Sequence, residues 1–296
     1  MSNQLPTETK REHFVRLVEL EQRYGDHGHQ PALWKAVADD LDLSLEERLW
    51  LCILVVGYSH DGSTWVAYNM PGVQTRWTLP PENLKIAILR RNLFGGRITK
   101  HFNGIPRDLT DWISRYRSWN GLIYLFSTLY GNGTWASYTT AETVLTVCGD
   151  RILGVDGQPI RADVGGFAAN TGPRATLLDL GYEPSEAGAT SLLQMVRSHG
   201  VDIPIFLLET VMCYWQNMRK GKFYVGRSID RQQNQIEYAE KHNTCCSRLW
   251  AARSKIFNPE TLGEVQGWPG LDKERLKHYL KTTEILLPTE QRIRKP

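Results

Sequence analysis

Apolar residues along this chain recur mostly three and four positions apart, the period of a helix that buries one face. Leu49, Cys52, Ile53 and Val56 keep that spacing, and Ser44 followed by Glu47 predicts a capping box that opens their helix. Leu122, Leu125, Phe126 and Leu129 predict a helix that leads into a glycine loop. Ala141, Val144, Leu145 and Cys148 predict a second that leaves it. Pro80-Pro81-Glu82 predicts another helix start, with an end near Gly95-Gly96. Further helices are expected over 191–196 and 205–215, and a late helix or turn from Asn258. Only two stretches read as β: a Gly- and Pro-punctuated hairpin over 151–161 and a short strand over 222–226.

The expected fold is therefore mainly α with a small β element. Residues 1–44 read as an N-terminal helical extension. Residues 45–296 read as one helical catalytic domain, with a helix–hairpin–helix-like segment near 122–148. The 296 residues, 41% hydrophobic, suffice for a sizeable core. Five cysteines without a CxxC pair exclude the usual zinc pattern, and the adjacent Cys245 and Cys246 are poorly placed to share one metal. An odd cysteine count without a secretory signal fits a reducing compartment. The longest apolar run, 49–58, is too short to span a membrane.

Charge is uneven although the net is only +3. Residues 1–47 carry five basic and ten acidic side chains, whereas 76–117 and 218–255 each carry nine basic and three acidic. Basic blocks interleaved with aromatics suit a nucleic-acid backbone, and a solvated helix face is the plainer reading of the same residues.

The densest chemistry lies at 130–142, YGNGTWASYTTAE, and 160–177, IRADVGGFAANTGPRATL. Gly131, Asn132 and Gly133 before a helix let backbone N–H groups approach a phosphate, with Thr134 and Trp135 beside them. Trp135 would stack on a base or plug a core. Asp163 is the leading acid, with helix capping or an ion pair to Arg161 or Arg174 as its structural alternative. Glu142 is either catalytic or the last member of a Thr139-x-x-Glu142 capping box. Arg90, Arg91, Arg97, Lys100 and His101 form one candidate phosphate-binding group, and Asn170, Thr171 and Arg174 a second. Tyr58, Ser59, His60 and Ser63 either line a pocket or serve structure. Glu209, among Leu207, Leu208, Val211 and Met212, calls for a basic partner.

A helix–GNG–helix followed by an aspartate resembles the helix-hairpin-helix of DNA glycosylases. A wider series is more specific. ERLWLCILVVGYSHDGS (47–63), RRNLFGG…KH (90–101), YGNGTWASYTTAE (130–142), ADVGG…NTGPR (162–174) and ETVMCYW…KGKFYVGRSID (209–230) fall in this order. Together, over about residues 45–270, they resemble the bacteriophage amino acid:DNA transferases, relatives of the α-glutamyl/putrescinyl thymine pyrophosphorylases. This chain has Thr134 and Thr139 where the family pattern carries Arg and Lys, which bears on substrate subtype.

The resemblance implies a glycosylase-like helical fold and a transferase active in the cytoplasm of an infected bacterium. It implies thymidine hypermodification, with base flipping. The substrate is double-stranded DNA carrying pyrophosphorylated 5-hydroxymethyluracil, and a free amino acid, glycine as first choice, displaces pyrophosphate through its amine. No membrane partner, metal site or cofactor is expected, although pyrophosphate can bring Mg²⁺ with it. Two other functions fit parts of the same pattern: a glycosylase acting on a modified base, and a helical DNA-binding module without chemistry.

Overall fold

A computed structural model describes residues 6–24, 29–84, 97–219 and 227–256. They form α1 Thr7–Tyr24, α2 His29–Asp40, α3 Leu45–Tyr58, α4 Asp61–Tyr68, α5 Arg97–Asn103, α6 Leu109–Ser114 and α7 Trp119–Ser127. There follow α8 Thr134–Cys148, α9 Thr171–Asp179, α10 Glu186–Ser198, α11 Ile205–Arg219, α12 Arg227–Lys241 and α13 Ser247–Ile256. The protein is mainly helical. Among the described residues the β content is a single antiparallel bridge, Leu153 to Pro159, in the segment expected to be a hairpin. It is closed by Ile160 N–H donating to the Ile152 carbonyl at 2.9 Å. The 222–226 strand and the Asn258 start lie outside the described residues. Of the helix expected from Pro80-Pro81-Glu82 to near Gly95-Gly96, 81–84 are irregular, with the Pro81 carbonyl accepting the Tyr58 hydroxyl at 2.6 Å, and 85–96 lie outside the described residues.

Helices cluster into two units. One combines Met1–His29 with Asp163–Arg231, and the other combines Gln30–Ala162 with Gln232–Ile256. Residue 44, where the sequence suggested a boundary, lies within the second of these.

The second unit is organised by α3. Ser44 and Glu47 complete the expected capping box, and every residue from Arg48 to Tyr58 is buried. A helix apolar on all faces must be surrounded, and α4, α6 and α8 pack on it. Arg48 is the polar exception. Its guanidinium reaches Asp39 Oδ1 at 2.7 Å and donates to the carbonyls of Val147, Leu43 and Ala38. It thereby satisfies carbonyls at the C-terminal ends of α2 and α8. Gly62 lets α4 approach α12 closely, because a Cβ there would lie 1.8 Å from the Gln235 carbonyl oxygen. Beside it Asp61, 1% exposed, accepts from Gln30 Nε2 at 2.8 Å and Trp34 Nε1 at 2.9 Å, and its N–H donates to Gln235 Oε1 at 2.6 Å.

In the first unit α1 and α9 pack on α11. Phe14 meets Trp215 edge to face at 5.8 Å between centroids. Asp179 ties all three helices together by accepting from Lys10 Nζ at 2.9 Å and Trp215 Nε1 at 2.8 Å. Gly172 brings α9 against α11, where a Cβ would lie 2.8 Å from Cys213 Sγ. No described helix is long and apolar enough to cross a membrane.

Candidate functional site

The glycine loop of the second unit runs between α7 and α8. Ser118 caps the start of α7 by accepting from Gly121 N–H at 3.1 Å. After α7 ends, Asn132 Nδ2 donates back to the Phe126 carbonyl at 2.9 Å and tightens the loop. Gly131 has φ +85, a left-handed conformation that glycine adopts without steric cost. Gly133 is the N-cap of α8 at φ −88 and ψ −178, and a Cβ built on it would meet nothing within 4 Å. No side chain caps α8 and no acidic residue stands in its first turn. Gly131, Gly133 and Thr134 are exposed, and Trp135 is half-buried. The first N–H groups of α8 thus open onto accessible surface at the positive end of its dipole.

The basic residues divide. Arg90 and Arg91 lie outside the described residues, and Arg97 opens α5. Lys100 is exposed, with Nζ 4.3 Å from the centre of the Tyr130 ring, so a cation stands next to the glycine loop. His101 is only 2% exposed, and its Nδ1 lies 2.7 Å from the Tyr130 carbonyl, which makes it an anchor for the loop. Glu142 is 7% exposed and sits well inside α8. The helix begins five residues before Thr139, so Thr139 and Glu142 form no capping box; the Thr139 carbonyl accepts the Thr143 hydroxyl at 2.7 Å. His60 caps α4 by accepting from Ser63 N–H at 3.1 Å, a structural role.

Asp163, Asn170, Thr171 and Arg174 belong to the first unit, and Arg161 to the second. Asp163 is exposed, and its Oδ1 accepts from Gly165 N–H at 2.6 Å in a local turn. Arg161 pairs with Asp150 at 3.2 Å. Thr171 and Arg174 are exposed on the first turn of α9, and among the described residues Arg174 makes no ion pair. Asn170 precedes α9 yet does not cap it with its side chain. It is 3% exposed, and Nδ2 reaches Glu209 Oε1 at 3.5 Å. Its Oδ1 is buried and has no hydrogen-bond partner among the described residues.

Glu209 is the group whose role the sequence left open. It is 4% exposed, and among the described residues it has no basic partner. Burial raises its carboxyl to about 7, against weaker stabilisation from Cys213 Sγ at 3.7 Å and Asn170. Gln216, one turn beyond Cys213, also carries a buried Nε2 without a partner among the described residues. Glu209, Cys213 and Gln216 stand at i, i+4 and i+7 of α11, interrupting the apolar Leu207, Leu208, Val211, Met212 and Trp215, which is the signal in the sequence that marks this seam. A buried carboxyl that changes charge near neutrality can accept a proton from an amine or return one.

A cavity of about 350 Å³ in the second unit, lined by Glu47, Tyr68, Gln74, Cys245 and Arg248 among others, contains none of the expected site residues. Among the described residues no group of three or more His, Cys, Asp or Glu side chains is arranged to hold a metal. No protein-family model matches the chain, and no curated protein matches it.

Proposed function

We propose that the protein transfers an amino acid through its amine to the 5-methylene of pyrophosphorylated 5-hydroxymethyluracil in double-stranded phage DNA, with release of pyrophosphate. The reading rests on the ordered motifs from 47–63 to 209–230. The structural observation that supports it most is the open, uncapped start of α8 behind Gly131 and Gly133, with Lys100 beside it. In this reading α7, the glycine loop and α8 act as a helix-hairpin-helix in a glycosylase-like fold. Their N–H groups seat a DNA phosphate. Trp135 supports a flipped base at the loop.

The chemistry needs a cation for the leaving group, because the C–O bond breaks onto pyrophosphate and charge develops there. Exposed Arg174 has the planar fork for that role. The amine also needs an acceptor for its proton. Asp163, already held in a turn by Gly165, serves this role less well than a carboxylate shielded from water. Mass spectrometry of nucleosides tests the reading: DNA bearing pyrophosphorylated hydroxymethyluracil is incubated with the protein and one amino acid at a time. A mass gain with pyrophosphate release supports transfer. Abasic sites alone favour a glycosylase, and binding without any product favours a DNA-binding module, for which the glycine loop suffices.

A further inference from the structure

We propose that Asn170 and Glu209 form the receptor for the primary amine of the amino-acid substrate, with Glu209 taking the proton that frees the nitrogen for attack. This rests on the transferase reading for the identity of the electrophile, but the amine site itself stands on geometry.

Two acceptors converge there. Asn170 Oδ1 is buried without a hydrogen-bond partner among the described residues, although an amide oxygen has two lone pairs to satisfy. Glu209 accepts only two long contacts, from Asn170 Nδ2 at 3.5 Å and Cys213 Sγ at 3.7 Å. A buried carboxylate is ordinarily paired with a cation. Among the described residues, the helices packed on α11 place no cation in an ion pair with Glu209. From α1, Lys10 is held by Asp179 and Arg11 lies 4.6 Å from the Tyr182 ring centre. The other titratable side chains of α1 that are not exposed, among those described, are His13, Glu19 and Glu21, and Glu19 pairs with Arg16 at 3.0 Å. From α9, Asp179 is taken by Lys10, and Arg174 is exposed. Among the described residues none of these groups forms an ion pair with Glu209.

One buried acceptor without a partner among the described residues, Asn170 Oδ1, and a carboxylate held only by two long contacts match the N–H donors of an ammonium. Asn170 is one residue from the surface on either side, since Ala169 and Thr171 are both exposed. Glu209 takes one proton from the ammonium, which frees the nitrogen lone pair. That pair bonds to the methylene carbon as the C–O bond breaks, and its electrons leave on the pyrophosphate oxygen. The product nitrogen is a secondary ammonium, so charge and protons balance. With burial holding the Glu209 carboxyl at about 7, the carboxylate needed for this step forms across neutrality.

The test is calorimetric titration of the full chain with glycine, methylamine and acetate, each with and without unmodified DNA, at about pH 6 and about pH 8. Glycine and methylamine bind, acetate binds more weakly than glycine, and amine affinity rises roughly tenfold between the two pH values as Glu209 ionises. Glu209→Gln lowers amine affinity by at least about tenfold and removes the pH dependence, while a thermal midpoint no lower than wild type shows that the variant is folded. Asn170→Ser weakens amine binding without removing the pH dependence. Wild-type-like amine binding and pH dependence in Glu209→Gln overturns the proposal, as does failure of the wild type to bind any amine with or without DNA. If amines bind as expected while modified DNA gains no amino acid, the transferase reading falls and the amine site stands. If DNA is modified by Glu209→Gln with an unchanged amino-acid KM and pH profile, the transferase stands and the amine site falls.

Discussion

The Nδ1 of His101 lies 2.7 Å from the carbonyl oxygen of Tyr130, and this contact moors the glycine loop to α5. A carbonyl only accepts, so Nδ1 carries the proton and the Nδ1–H donates. In the proposed function the imidazole would act on DNA binding through the loop and not by touching phosphate. His101→Leu is expected to cost about 1 kcal/mol of stability, since the part-buried carbonyl loses its donor. It also weakens DNA binding, and His101→Asn recovers part of both. Chemical denaturation and fluorescence anisotropy on the same variants check this; a loss of DNA affinity with stability intact would make His101 a direct contact.

Gly133 offers a sharper separation of fold from function. Its backbone conformation suits any residue, and its Cβ direction is open. Gly133→Asp supplies α8 with a side-chain cap and a charge complementary to the dipole, so stability stays level or rises by about 0.5–1 kcal/mol. The same carboxylate occupies the N–H groups and repels phosphate, so DNA affinity falls. Gly131→Ala does the reverse to the fold, because φ +85 strains any L-residue, at a cost of about 1 kcal/mol. A Gly133→Asp protein that binds DNA as well as wild type would remove the phosphate seat from this loop.

Glu209 is expected to make the fold pH-sensitive. Its carboxyl rises from 4.5 to about 7 on folding, so the native state favours the protonated form. Its contribution is whole below about pH 4.5 and is lost as pH rises through about 7. Glu209→Gln stays neutral throughout, so at pH above that range it should be more stable than wild type by about 3 kcal/mol as an upper figure. Urea unfolding across the range reads this directly. A variant that is less stable at every pH would show that the carboxylate holds the structure together.

Arg174 is expected to act during bond breaking. Arg174→Gln should lower the single-turnover rate at saturating DNA about a hundredfold, corresponding to roughly 3 kcal/mol, while binding of unmodified DNA changes little. Arg174→Lys should restore only part, since an ammonium lacks the planar fork. Weaker DNA binding with an unchanged saturated rate would make Arg174 a backbone contact and send the search for the leaving-group site to Lys100 and the other basic residues of that block.

Asp163→Asn separates the two carboxylates. An amide oxygen can accept from Gly165 N–H as the carboxylate does at 2.6 Å, so the turn survives. Stability and turnover should both remain near wild type if, as proposed, Glu209 and not Asp163 takes the proton. A large loss of turnover at unchanged DNA affinity would reinstate Asp163 as the acid.

Local signals in the sequence were read correctly where a helix carries its own instructions. Ser44 and Glu47 cap α3, and the apolar spacings of α7, α8 and α11 match the observed helices. One local signal is overridden by an earlier start, since α8 is already helical where Thr139 suggests a cap. The site was legible only in pieces. Asn170 and Glu209 were both noted, yet their contact spans 39 positions, and periodicity within one helix carries no information about a partner on another. Asp61 escaped notice for the same reason, since Gln235 comes 174 positions later.

The order in which the two units occur along the chain governs how the protein can be made. Translation delivers Gln30–Ala162 long before Gln232–Ile256, and Met1–His29 long before Asp163–Arg231. Asp61 therefore emerges from the ribosome without the glutamine that receives its N–H, and Gly62 without the helix it abuts. Neither unit can close early and shelter its apolar faces while the other is being synthesised, as a contiguous N-terminal domain would. Fragments cut at residue 162 or 231 inherit the same deficit, because each cut separates segments that share a core.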